Sequence, residues 1–446
     1  MKYLLPLLCL FANSLLYSQS PNWQELAATT SDAAFSKLLA SQAYGLSSNP
    51  YLEEIATWER ENISGAAIFQ KIQSWDKYPK PNKTGVIIKQ EVQLDSTYSA
   101  PFYIYLPTSY DPSIPTKLLI YYKGGWISRD ELPDNVDKEI VIDNPTFPYL
   151  EEYNVIQVFP ALSRKLAIFG FYGYKHLRKM LTQTKKLLNI DDNRVYLAGF
   201  SDGGRTVYNI AFLRPDDFAA FFPINGVFNN SRMNYPNFAN RKITSFLGLQ
   251  DNLIFPSFAF SVAETAQSFG ADWGIHTYDG PHFYYPFEKE IMPILFGQLE
   301  NTTRNPFPSQ IIYHKDYEFN EFTGMDWLNV VVDEQGTPTK HHYSKQVIIE
   351  TTPTERDTID YGTTSAQIEA NYFNNTFNLT TSLVKAVDIY ISPLMVDLNR
   401  PVRILVNGKE MFNDIVTYDK AFLIRQFKGH FDRKQVWVNK ITIALD

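Results

Sequence analysis

The stretch VYLAGFSDGG at residues 195–204 indicates both the fold and the chemistry of this chain. Its first half is a continuous apolar run, which is typical of a strand buried in a parallel sheet. Ser201 then lies between Gly199 and Gly203, in the pattern Gly-Xaa-Ser-Xaa-Gly. A serine exposed by a tight strand-to-helix turn needs small neighbours, because the strained backbone and the approaching helix leave no room for side chains. The stretch therefore predicts a strand, a nucleophilic serine and a helix in direct succession.

Short apolar runs alternate with amphipathic stretches over about two hundred residues around this turn, which is typical of an α/β protein with a largely parallel sheet. The predicted strands are 86–94, 102–106, 118–122, 155–159, 195–200, 218–224, 243–249 and 274–278. The predicted helices are 173–188, 203–213, 256–269 and 286–299. In such sheets the loops at the carboxyl ends of the strands carry the reactive groups.

A serine hydroxyl is a weak nucleophile until an imidazole takes its proton, and the imidazole needs a carboxylate that fixes its tautomer. In this type of fold the acid and then the histidine follow the serine along the chain. Asp251 follows the predicted strand 243–249, and His282 follows the strand 274–278 and a Gly-Pro turn. We therefore predict Ser201 as the nucleophile, Asp251 as the orienting acid and His282 as the base.

Other titratable residues in the same window are weaker candidates. His276 lies inside a predicted strand, where its ring would face a surface of the sheet. Asp272 precedes that strand, and Asp279 is too near His282 in sequence to orient its ring easily. Asp202 begins the predicted helix, where it can act as an acidic residue of the first turn.

Acyl transfer also needs backbone donors that face the developing oxyanion, and the loss of one donor costs about 3 kcal/mol. One donor is predicted at the N–H of Asp202, directly after the serine. The second is predicted at Gly125 or Trp126, in the loop that follows the strand 118–122. The glycines of that loop let the backbone approach a substrate carbonyl, and an ordinary turn is the alternative interpretation.

The segment from about residue 86 to residue 299 resembles an α/β-hydrolase serine esterase, of the secreted polyhydroxybutyrate-depolymerase, feruloyl-esterase and predicted-peptidase type. The matching stretches are 102–107, 110–112, 124–125, 192–204 and 215–220, with Asn225-Gly226 in place of the usual Ser-Gly. The resemblance implies an α/β-hydrolase fold and a Ser201, Asp251, His282 triad. It also implies an oxyanion hole at Gly125 or Trp126 together with Asp202. The sequence departs from the family at Lys123, where a histidine usually orders the oxyanion loop.

The composition excludes several other classes of protein. The 446 residues carry a formal net charge of −7, which argues against a polybasic nucleic-acid binder, and no nucleic-acid partner is predicted. The single cysteine, Cys9, excludes an internal disulfide and a thiolate metal site. No cofactor is predicted, since phosphate-binding glycine loops are absent from the sequence. His341-His342 suggests metal ligands, but adjacent residues on a strand point to opposite faces, so a solvated loop is favoured.

The N-terminal residues 1–18 are predicted to be a secretory signal peptide. Their apolar stretch follows Lys2 and is shorter than the ~20 residues that span a bilayer. A buried N-terminal helix is the alternative. No later run is apolar enough to cross a membrane, so the sequence predicts a secreted or periplasmic protein without a membrane span.

Changes in the pattern of apolar and polar residues along the chain predict the domain boundaries. A helical N-terminal region is expected at 19–84, an α/β-hydrolase catalytic domain at 85–300 and a β-rich accessory domain at 301–446. In the last domain strands are predicted at 330–332, 347–350, 377–380, 387–391 and 402–406, and a helix near 420–427. Asn407-Gly408 between two apolar runs is a strong signal for a two-residue hairpin.

These observations predict a secreted serine hydrolase that cleaves carboxylic esters through an acyl-enzyme, with a small-molecule or polymer-derived ester as its substrate. One alternative is a peptidase acting on short peptides, since the same machinery cleaves amides. Another, which Lys123 motivates, is an inactive protein that contacts polysaccharide through its C-terminal domain. The aromatic run Phe283-Tyr284-Tyr285 beside His282 is expected either to line an aryl or sugar subsite or to pack in the core.

Overall fold

The computed structural model of the chain describes residues 22–41, 50–126, 129–142, 144–167, 172–226, 234–315, 322–337, 345–352, 355–361 and 365–445. The predicted signal peptide, Cys9 and His341-His342 lie outside the described residues. Within the described ranges, no helix combines the length and the apolar character that crossing a bilayer requires.

An eight-stranded mixed sheet forms the centre of the described structure. Its strands are β1 (Val86–Gln93), β2 (Ser99–Leu106), β3 (Thr116–Tyr122), β4 (Val155–Pro160), β5 (Ile190–Phe200), β6 (Ala220–Ile224), β7 (Lys242–Gly248) and β8 (Trp273–Tyr278). They are ordered β1-β2-β4-β3-β5-β6-β7-β8. β1 and β2 run antiparallel to their neighbours, and β3 to β8 are parallel. This is the strand order of the α/β-hydrolase fold, so the predicted fold class is confirmed.

Most of the helices flank this sheet, and three of them form a separate core. They are α1 (Trp23–Thr29), α2 (Asp32–Ser41), α3 (Pro50–Arg60), α4 (Gly65–Gln73), α5 (Val136–Glu139), α6 (Phe147–Glu152), α7 (Gly173–Leu187), α8 (Asp202–Leu213), α9 (Pro256–Gln267), α10 (Glu288–Asn301) and α11 (Lys420–His430). Every residue of β4 and β6 is buried. Strands that are covered on both faces are continuously apolar, so β4 and β6 can be predicted from their apolar sequence.

The N-terminal helices divide between two hydrophobic cores. α1 and α2 insert Trp23 and Phe35 into the core of the large sheet. α3 and α4 instead bury Trp58 and Phe69 in a separate core with α11, where the rings of Trp58 and Phe427 lie 6.3 Å apart. The N-terminal and C-terminal segments of the described chain therefore share one core, which we call the terminal core.

The C-terminal segment is a β sandwich, and its many strands agree with the β-rich character that the sequence predicts. Its strands are β9 (Gln310–Lys315), β10 (Gly324–Met325), β11 (Leu328–Val332), β12 (Lys345–Thr352), β13 (Glu355–Tyr361), β14 (Ala366–Phe373), β15 (Thr376–Ser382), β16 (Val384–Ile391), β17 (Val402–Val406), β18 (Lys409–Asp414) and β19 (Asn439–Ala444). The sheets β18-β17-β15-β14-β9 and β10-β11-β16-β19 enclose a common core. Asn407 and Gly408 join β17 to β18, and both have the positive φ that a two-residue hairpin turn requires.

A buried network of ion pairs joins the C-terminal segment to the hydrolase fold. The carboxylate of Asp432 accepts hydrogen bonds from Arg304 at 2.8 Å and from Lys185 at 3.1 Å. Arg433 donates to Asp192, on β5, at 3.0 Å. Burial alone would raise the pKa of Asp432, but the opposing charges of Arg304 and Lys185 outweigh burial and hold that pKa below its usual range. The network therefore keeps charged groups paired at a buried junction.

We predict that Asp432→Ala lowers the free energy of unfolding by about 3–5 kcal/mol, because it leaves Arg304 buried without its carboxylate partner and leaves Lys185 with Asp192 alone. The matched control is Glu410→Ala, which breaks an ion pair with Arg403 whose two side chains are 42% and 48% exposed. That variant should lose less than about 1 kcal/mol. Chemical denaturation of both variants measures the difference, and equal losses would contradict a stabilising role for the network.

Candidate active site

Ser201 occupies the sharp turn between β5 and α8. Its backbone has φ 55° and ψ −116°, a conformation that non-glycine residues rarely adopt. Its N–H donates a hydrogen bond of 3.0 Å to the carbonyl oxygen of Ile224 at the end of β6. Strained residues of this kind persist only where the surrounding structure holds them in place. Here the buried strands β5 and β6 supply that support.

The glycines around Ser201 are required by contacts between backbones. A Cβ atom on Gly203 would lie 2.0 Å from the carbonyl oxygen of Tyr122 at the end of β3. A Cβ on Gly199 would lie 2.6 Å from the carbonyl carbon of Gly203. No side chain fits at either position without moving α8 away from the sheet. The Gly-Xaa-Ser-Xaa-Gly pattern is thus the sequence consequence of how closely the helix approaches the strands.

The structure brings together the three side chains that the sequence singled out. Nε2 of His282 lies 2.9 Å from Oγ of Ser201, and Nδ1 lies 2.7 Å from Oδ2 of Asp251. The other carboxylate oxygen of Asp251 accepts the N–H groups of Leu253 and Ile254, both at 2.9 Å. Asp251 is 4% exposed and His282 is 5% exposed. The carboxylate is therefore held firmly while one oxygen remains for the imidazole.

This arrangement can support proton transfer away from the serine hydroxyl. With the Nδ1 proton donated to Asp251, Nε2 of His282 is the basic nitrogen and can accept the proton of Ser201. The carboxylate then stabilises the imidazolium that forms. Within the described residues, no group of three or more His, Cys, Asp or Glu side chains is arranged to hold a metal ion.

The weaker candidates take no part in this hydrogen-bonded chain. His276 is exposed on β8, where its ring stacks on Phe246 at 5.6 Å. Asp279 accepts a hydrogen bond from the side chain of Gln250 at the surface. Asp202 is buried in the first turn of α8, as the sequence predicts.

The predicted oxyanion loop lies directly beside the serine. A Cβ on Gly124 would lie 2.9 Å from Cβ of Ser201, and Gly125 is exposed with φ 79° and open space around it. Trp126 is buried, with 3% of its surface exposed. Gly125 and Trp126 thus belong to a loop that runs past Ser201, and the left-handed conformation of Gly125 explains why glycine is needed there.

Lys123 anchors the start of this loop. Its Nζ atom donates to the carbonyl oxygens of Glu139 and Ile142, at 3.0 and 2.8 Å. Both acceptors lie at or just after α5, so the lysine joins the loop to a neighbouring segment of the chain. The lysine thus stands where the resemblance implies a histidine, and its hydrogen bonds keep the loop tethered.

Aromatic side chains surround the imidazole. The ring of Phe200 lies 5.1 Å from that of His282 and 6.1 Å from that of Phe283. Tyr284 is fully buried, and its hydroxyl is 2.7 Å from that of Tyr121. Burial raises the pKa of Tyr284 well above its ordinary value. The residues of this run therefore differ: Tyr284 belongs to the core, whereas Phe283 is 59% exposed beside His282.

Asn225 is a further residue of the site, and the sequence noted it only as a departure from Ser-Gly. It follows β6, and its side-chain amide donates to the carbonyl oxygen of His282 at 2.6 Å. Its side-chain oxygen accepts the N–H of Gly248 at 2.8 Å. The sequence signal for this role is a polar residue directly after a buried strand, at the edge of the sheet where reactive groups collect.

Comparisons with known proteins give partial similarities to one curated protein and to several solved structures. No protein-family model matches the sequence. Over 139 residues the chain is 29% identical to a bifunctional acetylxylan esterase/xylanase of Neocallimastix patriciarum, a match that covers 30% of this chain and 19% of that protein. A thermostable esterase structure has a TM-score of 0.41 and 16% identity, over 49% of this chain and 63% of the other. An S-formylglutathione hydrolase of Staphylococcus aureus has a TM-score of 0.40 and 16% identity, over 48% of this chain and 98% of the other.

We predict that Gly203→Ala lowers the free energy of unfolding by about 3 kcal/mol or more, since the new Cβ would force α8 away from β3. Gly297→Ala is the matched control, because this glycine lies inside α10 and a Cβ there meets no atom within 4 Å. The control should be stabilised by about 0.5–1 kcal/mol. Denaturant unfolding of both proteins tests the pair, and a Gly203→Ala protein as stable as the parent would refute the close-packing argument.

Proposed function

We propose that the chain is a serine hydrolase that cleaves carboxylic esters through an acyl-enzyme. The observation that carries the proposal is the continuous contact from Ser201 through His282 to Asp251, with heavy-atom distances of 2.9 and 2.7 Å. Both distances lie within hydrogen-bonding range, so His282 can take the proton of Ser201 while Asp251 holds the imidazole. The three groups come from loops after β5, β7 and β8, so only the folded chain brings them together.

In the proposed reaction Oγ of Ser201 attacks the ester carbonyl carbon while Nε2 of His282 takes the hydroxyl proton. Asp251 stabilises the imidazolium, which then gives its proton to the departing alcohol. Water attacks the resulting acyl-serine by the same route in reverse, and this releases the acid and restores the hydroxyl. The reaction balances with the ester and one water molecule and requires no cofactor.

The oxyanion of the tetrahedral intermediate would be held by backbone N–H groups. We assign one donor to Asp202, which follows the serine at the start of α8, and the other to Gly125 or Trp126. The proximity of Gly124 to Ser201 supports this assignment, because it places the loop against the nucleophile. Donors of this type contribute most when they are fixed before the reaction begins.

Ester cleavage is favoured over amide cleavage by the similarity to a protein named for acetylxylan esterase activity. We accordingly propose a small-molecule or polymer-derived ester as the substrate. Residues 1–18 resemble a signal peptide, and we propose on this basis that the chain is exported. For the C-terminal sandwich we propose contact with polysaccharide. A comparison of turnover on matched ester and amide substrates distinguishes the esterase from a peptidase.

We predict that Ser201→Ala abolishes ester hydrolysis, lowering kcat by about 10⁴-fold or more. A fluorophosphonate probe should label the parent protein and fail to label this variant. Ser261→Ala is the control, since the Ser261 hydroxyl donates only to a carbonyl within α9. Labelling of Ser201→Ala would exclude Ser201 as the nucleophile. Absence of labelling in a correctly folded parent would instead favour the inactive polysaccharide-binding alternative.

We predict that Lys123→Met lowers kcat for ester hydrolysis by about 10- to 100-fold with little change in KM, because the oxyanion loop loses its tether to Glu139 and Ile142. Lys138→Met is the matched control: Lys138 also donates to a carbonyl, that of Thr30, but has no bond to the loop. Steady-state kinetics of both variants test the idea. Full turnover by Lys123→Met would show that the loop is ordered without the lysine.

A further inference from the structure

Asn225 has a backbone conformation that asparagine tolerates better than most residues. It follows β6 with φ 42°, and its N–H donates to the carbonyl oxygen of Phe246, on β7, at 2.9 Å. The residue is 1% exposed. Asparagine is among the few non-glycine residues that enter this left-handed region readily. The backbone therefore aims the side chain between the ends of β7 and β8.

The amide of Asn225 uses all its donors and its acceptor at this position. Nδ2 donates to the carbonyl oxygen of His282 and to the hydroxyl of Tyr278, both at 2.6 Å. Oδ1 accepts the backbone N–H of Gly248 at 2.8 Å. A backbone carbonyl can only accept and a backbone N–H can only donate, so these partners fix the orientation of the amide.

The partners of Asn225 belong to the two loops that carry the proposed acid and base. Gly248 ends β7 and begins the turn to Asp251, whose N–H donates to the Gly248 carbonyl oxygen at 3.1 Å. His282 lies in the loop after β8. The loops also contact each other directly, since the N–H of Gln250 donates to the carbonyl oxygen of Gly280 at 2.9 Å. One buried amide thus bridges the supports of both catalytic groups.

Tyr278 extends the bridge to the residue before the histidine. Its hydroxyl accepts from Asn225 and donates to the carbonyl oxygen of Pro281 at 3.2 Å. Burial raises the pKa of Tyr278, so the phenol keeps the proton that this second bond needs. Asn225 consequently reaches the histidine loop at His282 directly and at Pro281 through Tyr278.

We propose that Asn225 is a positioning residue that sets the spacing between Asp251 and His282, and through it the distance from Nε2 to the Ser201 hydroxyl. The inference rests on the proposed function and deepens it. Asn225 would align Asp251 and His282 without taking part in the reaction itself. A displacement of about 1 Å between reacting groups can cost a hundredfold in rate. Loss of the bridge therefore acts on turnover more than on substrate binding.

The chain supplies a matched control in Asn237. This residue is also 1% exposed, and its side chain donates to the carbonyl oxygens of Phe212 and His314 and accepts the N–H of His314. It bridges buried backbone as Asn225 does, but it links α8 to β9 and has no bond to the loops of the site. An effect that arises only from lost buried hydrogen bonds should be the same for both residues.

The experiment compares Asn225→Ala with Asn237→Ala in the full chain, by thermal unfolding, ester hydrolysis and the rate of fluorophosphonate labelling. Both variants are expected to lose similar thermal stability. Asn225→Ala should lower kcat by about 10- to 100-fold, with KM within about threefold of the parent and a parallel fall in labelling rate. Asn237→Ala should keep kcat within twofold of the parent.

Two more conservative variants keep the test decisive if Asn225→Ala fails to fold. Asn225→Asp retains an acceptor for Gly248 but loses both donors, and Asn225→Ser retains one short hydroxyl. Both should lower kcat, with Asn225→Ser the less affected if its hydroxyl still reaches the His282 carbonyl. Variants at 225 that fold and keep parental kcat, or an equal fall in kcat for Asn237→Ala, would overturn the inference. A parent that neither hydrolyses esters nor reacts with the probe would refute the proposed function instead.

Discussion

The approach of α8 to the sheet is the constraint on which the rest of the site depends. Gly203 lies where any side chain would collide with the carbonyl oxygen of Tyr122, so only glycine allows the start of the helix to pack this close to the sheet. Ser201 must then adopt its strained turn, which raises the hydroxyl above the ends of the parallel strands. The neighbouring strand ends carry Asn225, Asp251 and His282 at the same edge, so their separations follow from strand spacing and loop length.

The sequence predicted the central fold well because the inner strands of the sheet are buried on both faces. A run such as β6 reads as apolar at nearly every position, and each of the eight predicted strands is present in the sheet. The triad candidates could also be identified from the sequence, since the order along the chain and the positions of the strand ends leave few choices for the acid and the base. The role of Asn225 could not be identified in this way, because it depends on three hydrogen-bond partners that lie 23 to 57 positions away in the chain.

Features outside the central sheet were harder to predict, for three physical reasons. β14 and β19 mix polar and apolar residues because one face of each is exposed, and short alternating runs give a weak signal. The tether of Lys123 consists of bonds to backbone carbonyls, which no residue pattern identifies. The pairing of α3 and α4 with α11 depends on contacts between distant parts of the chain. Local periodicity predicted that these helices form, but it carried no information about what they pack against.

The terminal core also imposes an order on how the polypeptide can fold as it is made. The amine of Lys420 donates to the carbonyl oxygen of Glu61 across 359 positions, and α11 supplies Leu423 and Phe427 to the terminal core, so this core is incomplete until α11 has been made. At ~5–20 residues per second, synthesis of the intervening chain takes on the order of 20–70 seconds. During that interval the nascent chain exposes an apolar surface of the kind that chaperones bind. The synthesis of α11 therefore completes the burial of this surface.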